Sequence, residues 1–182
     1  KCEQISDNSV SPKRVAAMLK IKRVTRKTLL IIGEGAHELA FLKHLKAVFG
    51  SSELEITIDA SNGGSPYDVI NTAVKFRNGA TFERKAVLLD SDVALTAQAT
   101  KLAKSHHIEV IQSSPVCLEG MLLQVLEKTV PQTSPLCKVE LHPLLNGHPT
   151  QMASYAVLFH IEVLNMSEHA AIKRLCELMT AG

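Results

Sequence analysis

From residue 28 onward, the apolar positions alternate between two spacings. "TLLII" (28–32) is an unbroken β-type run. "AHELAFLKHLKAVF" (36–49) then places Leu39, Leu42, Leu45 and Val48 on one helical face, with Gly50 in the C-cap position. "ELEITI" predicts a second strand, and "SNGGSP" a turn in which Ser65 caps and Pro66 opens the helix "YDVINTAVKF". "KAVLL" predicts a third strand, "LTAQATKLAKS" a helix, "IEVIQ" a fourth strand and "VCLEGMLLQVLEK" a largely buried helix. Strict β-α alternation with short connections predicts an α/β fold. Its sheet would be parallel and four-stranded, Rossmann-like, with right-handed crossovers and helices on both faces.

The flanks have a different texture. Residues 1–27 are polar and basic, with a short helix expected after Ser11-Pro12. Lys13, Arg14, Lys20, Lys22, Arg23, Arg26 and Lys27 accumulate there, and no acid occurs between Asp7 and Glu34. Residues 131–182 form a C-terminal extension. Pro131, Pro135, Pro143 and Pro149 predict loop over 131–150, "MASYAVLFHIEVLN" leans to helix, and a last helix follows Ser167 with Ile172, Leu175, Cys176 and Met179 as its apolar stripe. The expected organisation is therefore a leader (1–27), an α/β core (28–130) and the extension (131–182).

Composition narrows the function classes. The 182 residues, 46% of them hydrophobic, suffice for one domain with a real core. A net charge of +2 is too mild to announce a nucleic-acid binder, and the absence of Trp with 4% aromatic residues argues against base-stacking platforms. Cys2, Cys117, Cys137 and Cys176 show no metal-type spacing, and two or three of them are expected as reduced thiols. No run approaches the roughly 18 uninterrupted apolar residues of a membrane span, so a cytoplasmic protein is expected.

The chemistry is expected at the carboxyl ends of the strands, where parallel α/β sheets bind ligands. Glu34 follows the first strand between two glycines, Asp90 and Asp92 follow the third, and Glu119 opens the helix after the fourth. Two residues apart in extended chain, Asp90 and Asp92 are expected to point the same way. Converging carboxylates repel unless a cation lies between them, and hard oxygen ligands favour Mg²⁺ or Mn²⁺. Glu38, one turn into the helix, is either a further ligand or a charge favourable to the helix N-terminus. His37 is expected to be exposed at the helix start and His106-His107 solvated; Lys138 and His142 are candidate phosphate-binding cations. The "NGGSP" loop either offers amides to a substrate or serves as turn and cap. A dinucleotide-binding reading of "GEGAHE" fails because Glu38 stands where a packing glycine belongs. A dehalogenase-type phosphatase would carry Asp-x-Asp after the first strand, not the third.

Glu34 after strand one and Asp90-Ser91-Asp92 after strand three resemble the Toprim domain, the topoisomerase–primase metal-binding module. "EGAHELAFLKHL" is similar to the opening of the OLD-family nucleases, and "SSPVCLEGMLL" resembles a segment of the RloB-like Toprim proteins. The resemblance covers about residues 28–130. It departs from these families in lacking a GxxxxGK[ST] loop, and in Ser91, where RloB-like proteins usually carry Arg. It implies a Mg²⁺- or Mn²⁺-dependent nuclease, or a related phosphodiester-processing enzyme, acting on DNA or RNA. It also implies a phage-defence setting with an ATPase partner. Asp90 and Asp92 would hold the metal, Glu34 would be a ligand or general acid/base, and Glu38 and Glu119 would be further ligands. The competing expectation is a non-catalytic Toprim-like module that binds nucleic acid or protein.

Overall fold

The computed structural model describes residues 26–76 and 81–180. The leader, with its expected helix after Ser11-Pro12, lies outside the described residues except for Arg26 and Lys27. The four apolar runs become β1 (Lys27–Gly33), β2 (Leu54–Ala60), β3 (Arg84–Asp90) and β4 (Ile108–Ser113). All pair in parallel, in the order β2-β1-β3-β4, so the α/β parallel-sheet expectation holds. The helices between them are α1 (Ala36–Phe49), α2 (Pro66–Lys75), α3 (Ala97–Ser105) and α4 (Leu118–Val125).

The period of two in the strands divides the core. Leu29 and Ile31 face α1 and α4, whereas Leu30 and Ile32 face α2 and α3; all four are fully buried. Caps fix where the helices begin. The Ser65 hydroxyl accepts from the Asp68 amide, and Asp68 accepts in return from the Ser65 amide; Thr96 caps α3 through the Ala99 amide. Gly50 closes α1 as expected, its amide donating to the Lys46 carbonyl.

The extension departs from expectation. Residues 131–150 contain α5 (Ser134–Leu141) and a one-turn 3₁₀ helix (His142–Leu144) rather than loop. Pro135 and Pro143 each sit in a first turn, where the missing N–H costs nothing, so these prolines open helices instead of breaking them. The stretch expected as one helix is a short 3₁₀ turn (Met152–Tyr155) followed by α6 (Ile161–Met166). The last helix, α7 (Ala170–Thr180), begins after His169, whose ring accepts from the Ala171 amide, while Ser167 accepts from the His169 amide one step earlier. Its inward side is Ala171, Ile172, Leu175, Leu178 and Met179, with Cys176 only partly buried.

The extension shares the core of the sheet's α1 face. Cys137, Leu141, Tyr155, Phe159, Leu164 and Ile172 pack there with Phe41 and Leu45. Phe41, Tyr155 and Phe159 meet edge to face or tilted, and buried His44 of α1 is 2.8 Å from the Phe159 carbonyl. This packing holds α5 and the turn after it against the rim of the sheet. Among the described residues no helix is long and apolar enough to cross a membrane.

Candidate metal-binding site

β1 and β3 are neighbours, yet the helices that leave them go to opposite faces, α1 to one and α3 to the other. The chain parts at their carboxyl ends and opens a crevice there, the usual ligand position in such sheets. Glu34 directly follows β1 and Asp90 is the last residue of β3, so both flank this crevice. Glu34 Oε2 lies 3.4 Å from the Asp90 amide nitrogen, a long contact that nonetheless places the two residues side by side. The "SNGGSP" loop serves them as turn and cap. The Gly63 amide and Ser61 hydroxyl both donate to the Glu34 carbonyl, at 2.8 and 3.0 Å, and fix the backbone from which Glu34 projects.

Asp90 is held by one oxygen. Its Oδ1 accepts from the Ser113 hydroxyl at 2.8 Å and the Leu118 amide at 2.9 Å, while Oδ2 has no such partner among the described residues. Burial and the nearby charge of Glu38, with a smaller push from Glu34, outweigh these bonds and raise the carboxyl to about 7. Asp92 lies just beyond the end of the strand. β3 ends at Asp90, and the chain bends so that the amides of Ser91 and Asp92 both donate to the Val116 carbonyl. The two-residue alternation of a strand therefore stops one residue too soon. Asp92 is exposed and its Oδ2 accepts from Ser134 of α5 at 2.9 Å, and the extended geometry expected to align Asp90 and Asp92 ends at Asp90.

Glu38 is buried in the first turn of α1. Its Oε2 accepts from the Gly35 amide at 2.8 Å and caps α1. Burial first, then the charges of Glu119 and Glu34, push its carboxyl above the usual range. Neither flanking glycine adopts a left-handed turn, and only Gly33 is required for closeness. A Cβ on Gly33 would lie 2.6 Å from Glu38 Cβ, and Gly35 has an extended backbone with φ −146°. Glu34, Glu38, Asp90 and Lys138 line one open pocket of about 260 Å³, with His37 at its side.

Glu119 takes an unexpected position. It is buried at the start of α4, and its Oε1 receives His37 Nδ1 at 2.8 Å and His142 Nε2 at 3.1 Å. Burial alone would raise this carboxyl, but the two imidazole bonds outweigh it and hold it down at about 2. The same hydrogen bond raises His37 against the effect of its own burial. Among the described residues, the tight trio of possible metal ligands is His37, Glu119 and His142, their ligand atoms all within 4.8 Å of one another. The acids Glu34, Glu38, Asp90 and Asp92 are more widely spread. In the sequence Glu119, His37 and His142 stand as separate candidates, and nothing there announces that they meet. The signal is present only as three polar residues at helix starts, since their convergence depends on the unforeseen α5 and its 3₁₀ turn. His106 and His107 are exposed at the α3–β4 turn, as expected.

No family model, curated protein or solved structure matches this chain.

Proposed function

We propose that the chain is a divalent-metal-dependent phosphodiester-processing enzyme of the Toprim type, a nuclease acting on DNA or RNA. The observation that carries this reading is the meeting of Glu34 and Asp90 across the crevice between β1 and β3, with Glu38 in the same pocket. The donors fit Mg²⁺ or Mn²⁺. They are hard carboxylate oxygens, each of Asp90 and Glu38 is anchored through one oxygen, and both are held protonated above the usual range by burial first and then by the charge of neighbouring acids. Their spread suits an ion that keeps several waters and takes only one or two carboxylates directly. Asp90 and Glu34 would hold the ion, with Glu38 behind them. Bound there, it would polarise a phosphodiester and neutralise charge developing on its oxygens.

The protein's own groups supply the rest. The Ser113 and Leu118 bonds orient the Asp90 carboxylate, which need not reorganise when substrate arrives, and the Ser61 and Gly63 bonds fix the backbone that carries Glu34. Lys138 brings a cation to a pocket otherwise lined by acids and offers a contact to a substrate phosphate. Asp92, bonded to Ser134, braces α5 in this account rather than gripping the ion. An ATPase partner and a defence setting belong to the same proposal through the Toprim resemblance.

The second reading, a non-catalytic binding module, draws on one observation. Asp90 Oδ1 and Asp92 both have structural bonds that would retain acids without catalysis. Incubation of plasmid DNA and of structured RNA with Mg²⁺ or Mn²⁺ separates the two. Cleavage by the wild type that disappears in Asp90→Asn supports the enzyme. Binding without cleavage under any metal supports the module.

A further inference from the structure

His37, Glu119 and His142 come from three separate elements: the first turn of α1, the first turn of α4 and the 3₁₀ turn after α5. Both imidazoles approach the same carboxylate oxygen, and their rings stand edge to face, centroids 5.0 Å apart at 89°. The Glu119 side chain is only 3% exposed, and its other oxygen, Oε2, is buried with no hydrogen-bond partner. Buried carboxylate oxygens ordinarily find donors, and leaving one bare is costly. The two histidine bonds satisfy Oε1 and leave Oε2, equally buried, without a donor. A cation among the three groups accounts for both halves of the arrangement. It draws two ring nitrogens and a carboxylate toward one point, and its charge also serves the second oxygen.

The donor set differs in kind from the acid rim. Two imidazole nitrogens and one carboxylate suit a borderline-soft ion such as Zn²⁺, whereas the all-oxygen rim suits Mg²⁺. The two histidine side chains remain 24% and 27% exposed, so the ion would keep an open side toward solvent. We propose that His37 Nδ1, His142 Nε2 and the Glu119 carboxylate form a binding site for a Zn²⁺-class ion, distinct from the acid rim. The site joins α1 and α4 to the turn that follows α5. It thereby holds α5, and with it Lys138, over the pocket. It does not depend on the nuclease reading.

The test uses the full chain stripped of metal with a chelator and titrated calorimetrically with Zn²⁺ in the presence of millimolar Mg²⁺. The site predicts one tight Zn²⁺ per chain, at least about tenfold weaker binding in His142→Ala, and affinity within about twofold of wild type in Asp90→Asn. A second arm guards against a variant that fails to fold. His142→Cys keeps a competent ligand and should retain the ion; loaded with Co²⁺, it should gain a thiolate-to-cobalt charge-transfer band that the wild type lacks. Absence of tight Zn²⁺ binding in the wild type overturns the proposal. So does equal binding in His142→Ala, loss in Asp90→Asn with retention in His142→Ala, or a His142→Cys protein whose Co²⁺ spectrum shows no thiolate band.

Discussion

Replacing Asp90 by Asn isolates the electrostatic cost of the acid rim. The unfolded Asp ionises near its ordinary value of 3.8, whereas the folded carboxyl holds its proton to about 7 because burial and Glu38 oppose the charge. Between those values the unfolded chain sheds the proton first. Wild-type stability therefore falls as pH rises from about 4 to about 7 and levels off above that. The rise from 3.8 to about 7 corresponds to about 4 kcal/mol. Asp90 is only partly buried, and solvent screening reduces this to on the order of 2 kcal/mol. Asn preserves the oxygen that accepts from Ser113 and Leu118 and removes the charge. In EDTA at pH 8, Asp90→Asn should therefore melt above the wild type by about 4–8 °C, given about 2–4 °C per kcal/mol for a protein of this size. The difference should shrink toward zero near pH 4. Added Mg²⁺ should raise the wild-type Tm and leave that of the variant unchanged. Thermal denaturation followed by circular dichroism at pH 4, 6 and 8 reads all of this. A variant less stable than the wild type at pH 8 would refute the reasoning, because the carboxylate would then be a net stabiliser there.

Other positions test neighbouring parts of the account. Glu119→Gln should destabilise the metal-free protein by about 2–3 kcal/mol in urea unfolding, since it breaks a buried charged contact with two imidazoles. Glu119 is held below its unfolded value, so its contribution is present above about pH 4.5 and fades as pH falls toward 2. Gly33→Ala should cost about 1–3 kcal/mol by the same assay, because the new methyl group meets the Glu38 side chain at 2.6 Å and the start of α1 must shift. Removing residues 1–25 takes away five of the seven clustered cations. If the leader binds phosphates, nucleic-acid binding should weaken and its log–log salt slope flatten by about 0.9 for each phosphate the leader no longer neutralises, with metal affinity unchanged. Equal slopes for the two proteins would remove the leader from the binding surface.

The sheet was legible because period-two and helical spacings are strong over residues 28–130, and the rule for carboxyl ends placed Glu34 and Asp90 at one rim. The extended segment expected through Asp92 ends at Asp90 for a local reason. Sequence does not mark where a strand stops, and the bend at Ser91 is set by a carbonyl twenty-five residues away, at Val116. Val116 adopts φ 70°, a left-handed conformation that a β-branched residue rarely takes and that no spacing rule announces. The extension was misread because proline opens helices as readily as it ends them, and Pro135 and Pro143 do the former. That single error hid the His37–Glu119–His142 cluster, for His142 reaches Glu119 only because α5 turns the chain back over the rim.

The most direct test of the central claim is the anomalous difference density of a crystal soaked in Mn²⁺. A peak is expected in the crevice between the ends of β1 and β3, with the Asp90 and Glu34 carboxylates as its protein ligands and Asp92 outside its coordination. A crystal in which Mn²⁺ is absent from that crevice, or bound only at His37, Glu119 and His142, would contradict the claim.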